Sequence, residues 1–158
     1  MKIAVLPGSF DPITTGHVDI VYRALPLFDR IIIAIGVNSQ KKSLFPLDQR
    51  LNWLKDLFAD EPKVQVDHYE GLTLQYCRKI EAKYLIRGIR NAADFDYERT
   101  ISQINHTVAS ELETVFFIAR PHLSHVSSTI VRELILGNGD ISHFVPAEIL
   151  RHISPLSD

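Results

Sequence analysis

The 158-residue sequence predicts an α/β fold in which five parallel strands form one sheet with helices on both faces. Two observations predict it. Short apolar runs alternate along the chain with segments whose apolar residues have helical spacing. The run Ile31–Val37 is apolar nearly throughout, which is typical of a strand buried on both faces. Strands that alternate with helices in this way become parallel through right-handed crossovers.

The first half of the chain contains three of the predicted strands, each bounded by turn residues or followed by a helical pattern. The first strand ends at Pro7-Gly8, and Thr14 or Thr15 can cap the helix that follows. In order, the elements are strand Ile3–Leu6, a helix within His17–Phe28, strand Ile31–Val37, a helix after Pro46 that carries Leu47, Leu51, Leu54 and Phe58, strand Val64–Val66, and a helix from Gly71 to about Ile80.

The second half continues the alternation and gives a Rossmann-like, doubly wound order. We expect one domain spanning residues 1–158, and we interpret its aromatic strip as core rather than as a base-stacking platform. That strip comprises Phe95, Tyr97, Phe116 and Phe117. The elements are strand Tyr84–Ile86, a long helix from about Asp94 to Ser110 with Ile101, Ile104 and Val108 on one face, strand Val115–Ala119, helix Ser127–Leu136 and helix Pro146–Ile153.

The charge, the cysteine and histidine content and the apolar runs of the chain argue against several classes of protein. The formal net charge of −2 argues against a nucleic-acid partner, because no global basic field is present. Cys77 is the only cysteine, so no intrachain disulfide forms, and the histidines lack the spacing of a zinc site. Five apolar residues before Pro7 are too few for a signal segment, and no run is long enough for a membrane span. We therefore expect a cytoplasmic protein.

Donor side chains follow every predicted strand. In parallel sheets ligands bind beyond the carboxyl ends of the strands, so these segments are expected to meet at one edge. Their residues are of the types that bind phosphate. The segments are Gly8–His17 after the first strand, Lys41-Lys42 after the second, Leu72-Thr73 after the third, Arg87 to Arg90 at the fourth, and Ser127–Thr129 after the fifth.

The segment GSFDPITTGH after the first strand lacks both the dinucleotide fingerprint and the P-loop pattern. Its helix start nevertheless favours an anion. A protonated His17 would meet the helix dipole unfavourably, so helix stability does not explain this residue, whereas a hydrogen bond to a bound phosphate does. A partly exposed histidine that fills a gap between loop and helix is the alternative.

The other basic and hydroxyl residues also have plain structural alternatives. Lys41 and Lys42 are the kind of loop lysines that are usually solvated. An arginine at the end of a buried strand needs an anionic partner, which for Arg87 is either a ligand or a salt bridge. The hydroxyls of Ser127–Thr129 either bind a phosphate or only cap a helix. Candidate salt-bridge partners for Arg87 are Asp94, Asp96 and Glu98.

Several stretches together resemble the bacterial phosphopantetheine adenylyltransferases, which belong to the T-x-G-H nucleotidyltransferases. The T-x-G-H motif is shared by several adenylyl- and cytidylyltransferases, whereas the stretch around Arg87 is more specific. The similarity runs from Met1 to about Ile153. The stretches are PGSFDPITTGHVDI, SQKKSLF, LIRGIRNAADFDYE, ELETVFFIA, VSST and GDISHFVP.

This resemblance implies adenylyl transfer from ATP to 4′-phosphopantetheine, giving dephospho-coenzyme A and pyrophosphate in coenzyme A synthesis. It implies that His17 stabilises the transition state of a direct in-line attack. Matches to acceptor-binding positions are Ser9, Lys41, Thr73 and Arg87. Matches to ATP-binding positions are Ser9, Phe10, His17, Gly88, Ile89, Arg90, Glu98, Leu123, Ser124, His125, Val126, Ser127, Ser128 and Thr129.

The resemblance also implies a homohexamer and feedback by coenzyme A. Few carboxylates match the site, so Mg²⁺ is expected to arrive with ATP rather than to be held by protein ligands. The chain departs from the family in two places. Ser9 stands where threonine is usual, and His125-Val126 replaces an aromatic–isoleucine pair.

Two other functions compete with this one. Another T-x-G-H adenylyltransferase, for instance one acting on nicotinamide mononucleotide, would share His17 and VSST but would have no reason to keep LIRGIRNAADFDYE. A catalytically silent nucleotide sensor would keep the phosphate-binding residues without Lys41 or His17, and both are present.

Overall fold

The computed structural model describes residues 1–153. Five parallel strands form one sheet in the order β3-β2-β1-β4-β5. The strands are β1 Ile3–Gly8, β2 Arg30–Val37, β3 Val64–Glu70, β4 Tyr84–Ile89 and β5 Glu113–Ile118. The helices are α1 Thr15–Ala24, α2 Leu47–Leu57, α3 Thr73–Lys79, α4 Ala92–Val108, α5 Ser128–Leu136 and α6 Ala147–Ile153, with a 3₁₀ turn at Pro121–Leu123.

The strand order reverses between β1 and β4, which creates the crevice used by ligands in open α/β sheets. The chain runs outward from β1 to β2 and β3, then returns to pair β4 with the free side of β1. Gly8 of β1 pairs with Ile35 of β2, and Val5 pairs with Leu85 of β4. The predicted Rossmann-like doubly wound sheet is thereby confirmed, with its switch point at the carboxyl ends of β1 and β4.

Alternate residues of β2 are buried in two separate cores. Ile31, Ile33 and Ile35 belong to a core that also contains buried residues of α1, α2, α5 and α6, whereas Ile32 and Ala34 belong to a core with residues of α3 and the end of α4. An apolar residue is therefore needed at nearly every position of β2, which explains its continuous run.

Three strands extend beyond their predicted ends. β1 continues through Gly8, and β4 continues through Ile89, so Arg87 lies within the strand. β3 continues through Glu70, and it lies at the edge of the sheet. Its exposed Gln65 and His68 interrupt the apolar run that the sequence prediction relied on.

The interpretation of the aromatic strip is wrong for Phe95 and Tyr97. Both are exposed on α4, Tyr97 to 67%, whereas Phe117 is buried and Phe116 is half-buried. Glu98 is the only buried residue of α4. The polar side of this helix faces the sheet because Glu98 pairs with Arg87 of β4, and this turns Ile104 and Val108 outward.

Within residues 1–153, no helix combines the length and the apolar character that a bilayer span requires.

Candidate active site

A cavity of about 400 Å³ opens at the switch point, between the carboxyl ends of β1 and β4 and the first turns of α1 and α5. It brings together His17, Arg87 and the start of α5, as the sequence analysis expects of strand-end donors. The predicted residues that line it are Ser9, Phe10, His17, Lys41, Arg87, Gly88, Ile89, Arg90, Glu98, Leu123, Val126, Ser127, Ser128 and Thr129.

Three predicted site residues lie outside this lining. The hydroxyl of Thr73, at the start of α3, is 2.7 Å from the hydroxyl of Tyr69. Ser124 donates its hydroxyl proton to the carbonyl of Pro121 at 3.0 Å. His125 is exposed, and its ring packs edge-to-face on Phe144.

The loop after β1 is anchored by a buried carboxylate. The two oxygens of Asp11 accept the backbone N–H groups of Leu44 and Phe45, at 2.8 and 2.9 Å. These residues end the segment that carries Lys41, so Asp11 ties that segment to the loop. Two charged side chains complete the support from α2 and α5. The buried Arg50 donates to the carbonyls of Ser9 and Phe45, and Arg132 donates to the carbonyl of Asp11.

His17 occupies the third position of α1 and closes a capping box with Thr14. The backbone N–H of Thr14 donates to Nδ1 of His17 at 3.0 Å, and the hydroxyl of Thr14 accepts the backbone N–H of His17. The expectation that helix stability does not explain His17 is therefore wrong. The neutral ring does what glutamate or glutamine does in the usual capping box.

The surroundings of His17 keep its ring uncharged. Burial, then the positive charges of Arg87 and Arg90, lower the pKa of His17 to about 4. The ring of Phe10 packs edge-on against the imidazole with centroids 5.0 Å apart. At neutral pH the imidazole can therefore donate one hydrogen bond to a phosphate without adding a charge.

Arg87 has an anionic partner within the protein, as the salt-bridge alternative anticipated. Its Nε and Nη2 donate to the two carboxylate oxygens of Glu98 at 3.0 and 2.7 Å, and Nη1 donates to the carbonyl of Pro7. A guanidinium has five N–H groups, so two remain for a ligand in the cavity.

Arg90 and Asp94 form a second pair at the same edge, with Nε and Oδ2 3.0 Å apart. Burial favours the protonated form of Asp94, but the hydrogen bonds from Arg90 prevail and lower its pKa. Both carboxylates that line the cavity are thus engaged by arginines. Across residues 1–153, no group of three or more potential metal ligands comes together.

At the start of α5, one serine caps the helix and the next forms a hydrogen bond to the loop after β1. The hydroxyl of Ser127 accepts the N–H of Ile130 at 3.2 Å, which is the N-cap role foreseen as an alternative. Ser128 donates to the carbonyl of Pro12. The first backbone N–H groups of α5 remain available to an anion, as at other helix starts.

Two cations of the cavity have no carboxylate partner within residues 1–153. They are Lys41, which is exposed, and Arg132, which is half-buried. The strand-end pattern of the sequence does not indicate Arg132 as a site residue. A different signal was present, since Arg132 lies one helical turn after Thr129 and therefore on the same face of α5. Its Nη2 donates to the hydroxyl of Thr129 at 3.2 Å.

Gly88 of β4 lies in close contact with the side chain of Ile20 of α1. A Cβ at this position would lie 2.6 Å from Cδ1 of Ile20. A larger residue at position 88 would therefore require the end of the Ile20 side chain, which packs from α1, to turn away from β4.

Comparisons with known proteins identify the family. The cytidylyltransferase-like family model matches residues 5–134. The phosphopantetheine adenylyltransferase of Flavobacterium psychrophilum is 48% identical over 94% of this chain and 98% of its own length. That of Cytophaga hutchinsonii is 47% identical over 94% and 99%.

A solved structure from Vibrio parahaemolyticus supports the same fold. It is described as a candidate nicotinate-nucleotide adenylyltransferase and covers 96% of this chain and 93% of its own, with a TM-score of 0.68. At 18% identity it shows the fold alone. The curated relatives decide the family: this chain belongs to the cytidylyltransferase-like family and, within it, to the phosphopantetheine adenylyltransferases.

Proposed function

We propose that this chain transfers the adenylyl group of ATP to the phosphate of 4′-phosphopantetheine, giving dephospho-coenzyme A and pyrophosphate in coenzyme A synthesis. The observation that carries the proposal is the meeting of His17, Arg87 and the start of α5 in one cavity at the strand ends. Curated relatives named for this activity match this chain over more than nine-tenths of its length.

The nucleotide side of the cavity is the region around α5 and the end of β4. The first N–H groups of α5 and the guanidinium of Arg90 would hold the β- and γ-phosphates. The remaining predicted ATP contacts are Ser9, Phe10, Gly88, Ile89, Glu98, Leu123, Val126, Ser127, Ser128 and Thr129, all of which line the cavity. Ser124 and His125 lie just outside it and would touch only the outer part of the nucleotide.

The acceptor side is the region of Lys41 and Arg87. The two free N–H groups of Arg87 and the ammonium of Lys41 would hold the attacking phosphate. Ser9 would contribute its hydroxyl from the loop after β1. Thr73 would contact the acceptor away from its phosphate, because it lies beyond the cavity on the β3 side of the sheet.

Catalysis would then consist of positioning and charge stabilisation. An oxygen of the acceptor phosphate attacks the α-phosphorus in line, and the bond from that phosphorus to pyrophosphate breaks. The nucleophile is already anionic, so no protein base is needed. His17 would donate a hydrogen bond to the α-phosphoryl oxygens as charge accumulates there.

Magnesium would enter with the nucleotide. The two carboxylates of the cavity are occupied by arginines, which suits a metal held by phosphate oxygens and water rather than by the protein. When bound, it would neutralise charge on the phosphates and on the leaving pyrophosphate.

Assembly, regulation and location are further parts of the proposal. A homohexamer is supported by the outward apolar side chains of α4, namely Tyr97, Ile104 and Val108. Feedback by coenzyme A would follow because coenzyme A contains the same phosphopantetheine group as the acceptor.

A cytoplasmic location would place the enzyme where ATP is available, without nucleic-acid or membrane partners. All twelve described elements belong to one sheet and its covering layers, which supports one domain; residues 154–158 lie outside the described residues.

The test is an assay of pyrophosphate release from Mg-ATP with 4′-phosphopantetheine, with product identified by mass. Nicotinamide mononucleotide is the control acceptor. We expect turnover with phosphopantetheine only. Preferential turnover of nicotinamide mononucleotide would instead establish the competing adenylyltransferase function.

A further inference from the structure

Thr14 determines which nitrogen of His17 carries the proton. Thr14 is buried, with 1% of its surface exposed, and it caps α1. Its backbone N–H points at Nδ1 of His17 from 3.0 Å. A backbone N–H can only donate, so Nδ1 must be the unprotonated nitrogen. In the neutral ring the proton is then on Nε2.

Two further contacts leave the ring a single orientation. The hydroxyl oxygen of Thr14 is 3.0 Å from Nδ1 and also accepts the backbone N–H of His17. Phe10 packs edge-on against the imidazole. Nδ1 is thus held by the start of the helix, while the ring lines the cavity between β1 and β4.

A protonated ring would be incompatible with this arrangement. An Nδ1–H would face the N–H of Thr14 and break the capping box. The added charge would also lie close to the guanidinium groups of Arg87 and Arg90.

We propose that Thr14 is a positioning residue that holds His17 as a neutral Nε2–H donor, so that His17 stabilises charge and exchanges no proton during transfer. This rests on the proposed function. The reaction balances without His17, because one phosphate–oxygen bond forms as another breaks and pyrophosphate leaves with its electron pair.

The first test is spectroscopic and needs no substrate. Long-range ¹⁵N–¹H correlation of the ¹⁵N-histidine protein at pH 7 reports the tautomer of each ring. The signals of His17 are those that disappear in His17→Gln, which separates them from the other six histidines. We expect a protonated Nε2 and an unprotonated Nδ1. An imidazolium or an Nδ1–H tautomer would overturn the proposal.

The second test separates the ability of residue 17 to donate a hydrogen bond to substrate from its role in the capping box of α1. Gln at position 17 can accept the N–H of Thr14 with its oxygen and donate with its amide, whereas Glu keeps the cap but has no donor. We expect His17→Gln to retain more kcat than His17→Glu by about tenfold or more, with similar thermal stability. Equal losses in both variants would contradict a donor role.

The third test addresses Thr14 itself. Thr14→Val removes the hydroxyl at nearly constant volume and should lower kcat about tenfold while changing the KM for ATP little. Thr14→Ser restores the hydroxyl and should recover most of that loss. Thr15→Val is the matched control, because within residues 1–153 the hydroxyl of Thr15 forms its one hydrogen bond to the carbonyl of Phe144 and none to His17. A Thr14→Val enzyme with the wild-type kcat would refute a positioning role for the Thr14 hydroxyl, whose contacts with His17 are the ones that valine removes.

These outcomes are separable from the proposed function. If the wild-type protein forms no dephospho-coenzyme A, the function fails, whereas the tautomer is decided by the spectrum alone.

Discussion

The guanidinium of Arg87 and the carboxylate of Glu98 form a two-point ion pair, with 3.0 Å between Nε and Oε2 and 2.7 Å between Nη2 and Oε1. The pair joins the carboxyl end of β4 to the inner side of α4. It holds the guanidinium plane of Arg87, which lines the cavity, in one orientation, so the remaining N–H groups have a fixed geometry. Glu98 therefore fixes the orientation of the Arg87 guanidinium at the cavity.

Removing Arg87 alone should have two consequences that a double variant separates. Arg87→Met leaves the mostly buried Glu98 carboxylate without its hydrogen-bond donors, which should lower the free energy of unfolding by roughly 1–3 kcal/mol. It should also weaken phosphopantetheine binding by about tenfold or more, since a charged hydrogen bond to phosphate is lost. Calorimetry and chemical unfolding measure the two effects.

Adding Glu98→Gln to Arg87→Met should restore part of the stability but none of the acceptor affinity. In the single variant Arg87→Met, which keeps the predicted ATP contact Glu98, ATP affinity should fall less than acceptor affinity. Equal loss for both ligands would count against an acceptor role for Arg87.

The single oxygen of an amide cannot replace the two oxygens of Asp11. Asp11→Asn leaves one of the N–H groups of Leu44 and Phe45 facing an NH₂ group, at a cost of about 1–3 kcal/mol in stability. The segment that carries Lys41 should then loosen. We expect a higher KM for phosphopantetheine, a smaller change for ATP, and faster proteolysis near Lys41. The exposed Asp60 provides the control substitution, Asp60→Asn, which should alter none of these.

The lowered pKa of His17 predicts a pH dependence of stability. Its pKa is about 4 in the folded protein, against an ordinary value of 6.5, so the unfolded chain binds more protons between these values. Stability contributed by the neutral ring is present above pH 6.5 and is lost as the pH falls toward 4. Over that window the wild type should lose up to about 3 kcal/mol relative to His17→Gln. Parallel stability curves for the two proteins, measured by urea unfolding, would contradict the assignment.

The sequence predicts the sheet because β2 needs apolar residues on both faces, which gives its continuous apolar run. It predicts most of the cavity because strand-end donors converge in any parallel sheet. It misses the role of His17 in the capping box, because histidine is not the residue usually found there. The sequence also does not predict which side of α4 faces the sheet. That orientation depends on the ion pair between Glu98 and Arg87 rather than on the spacing of apolar residues.

The outward apolar side of α4 predicts an interface with further copies of the chain. Tyr97, Ile104 and Val108 lie along one side of the helix, at exposures of 67%, 54% and 58%. Replacing Ile104 and Val108 together by glutamate should dissociate the proposed hexamer, because charges would be buried at the contact. Since both side chains are exposed in the single chain, the fold of each subunit should lose less than about 1 kcal/mol. Light scattering after size exclusion measures the mass.

Leu27→Glu is the matched control, because Leu27 is 53% exposed but follows α1 on the opposite face of the sheet. It should leave the mass unchanged. If the double α4 variant kept the mass of the wild type, α4 would not be the interface; if the wild type itself were a monomer, no hexamer would exist to dissociate. In the expected case the loss of assembly should also lower activity, because α4 carries Glu98 on its inner side and any movement of the helix would displace Arg87.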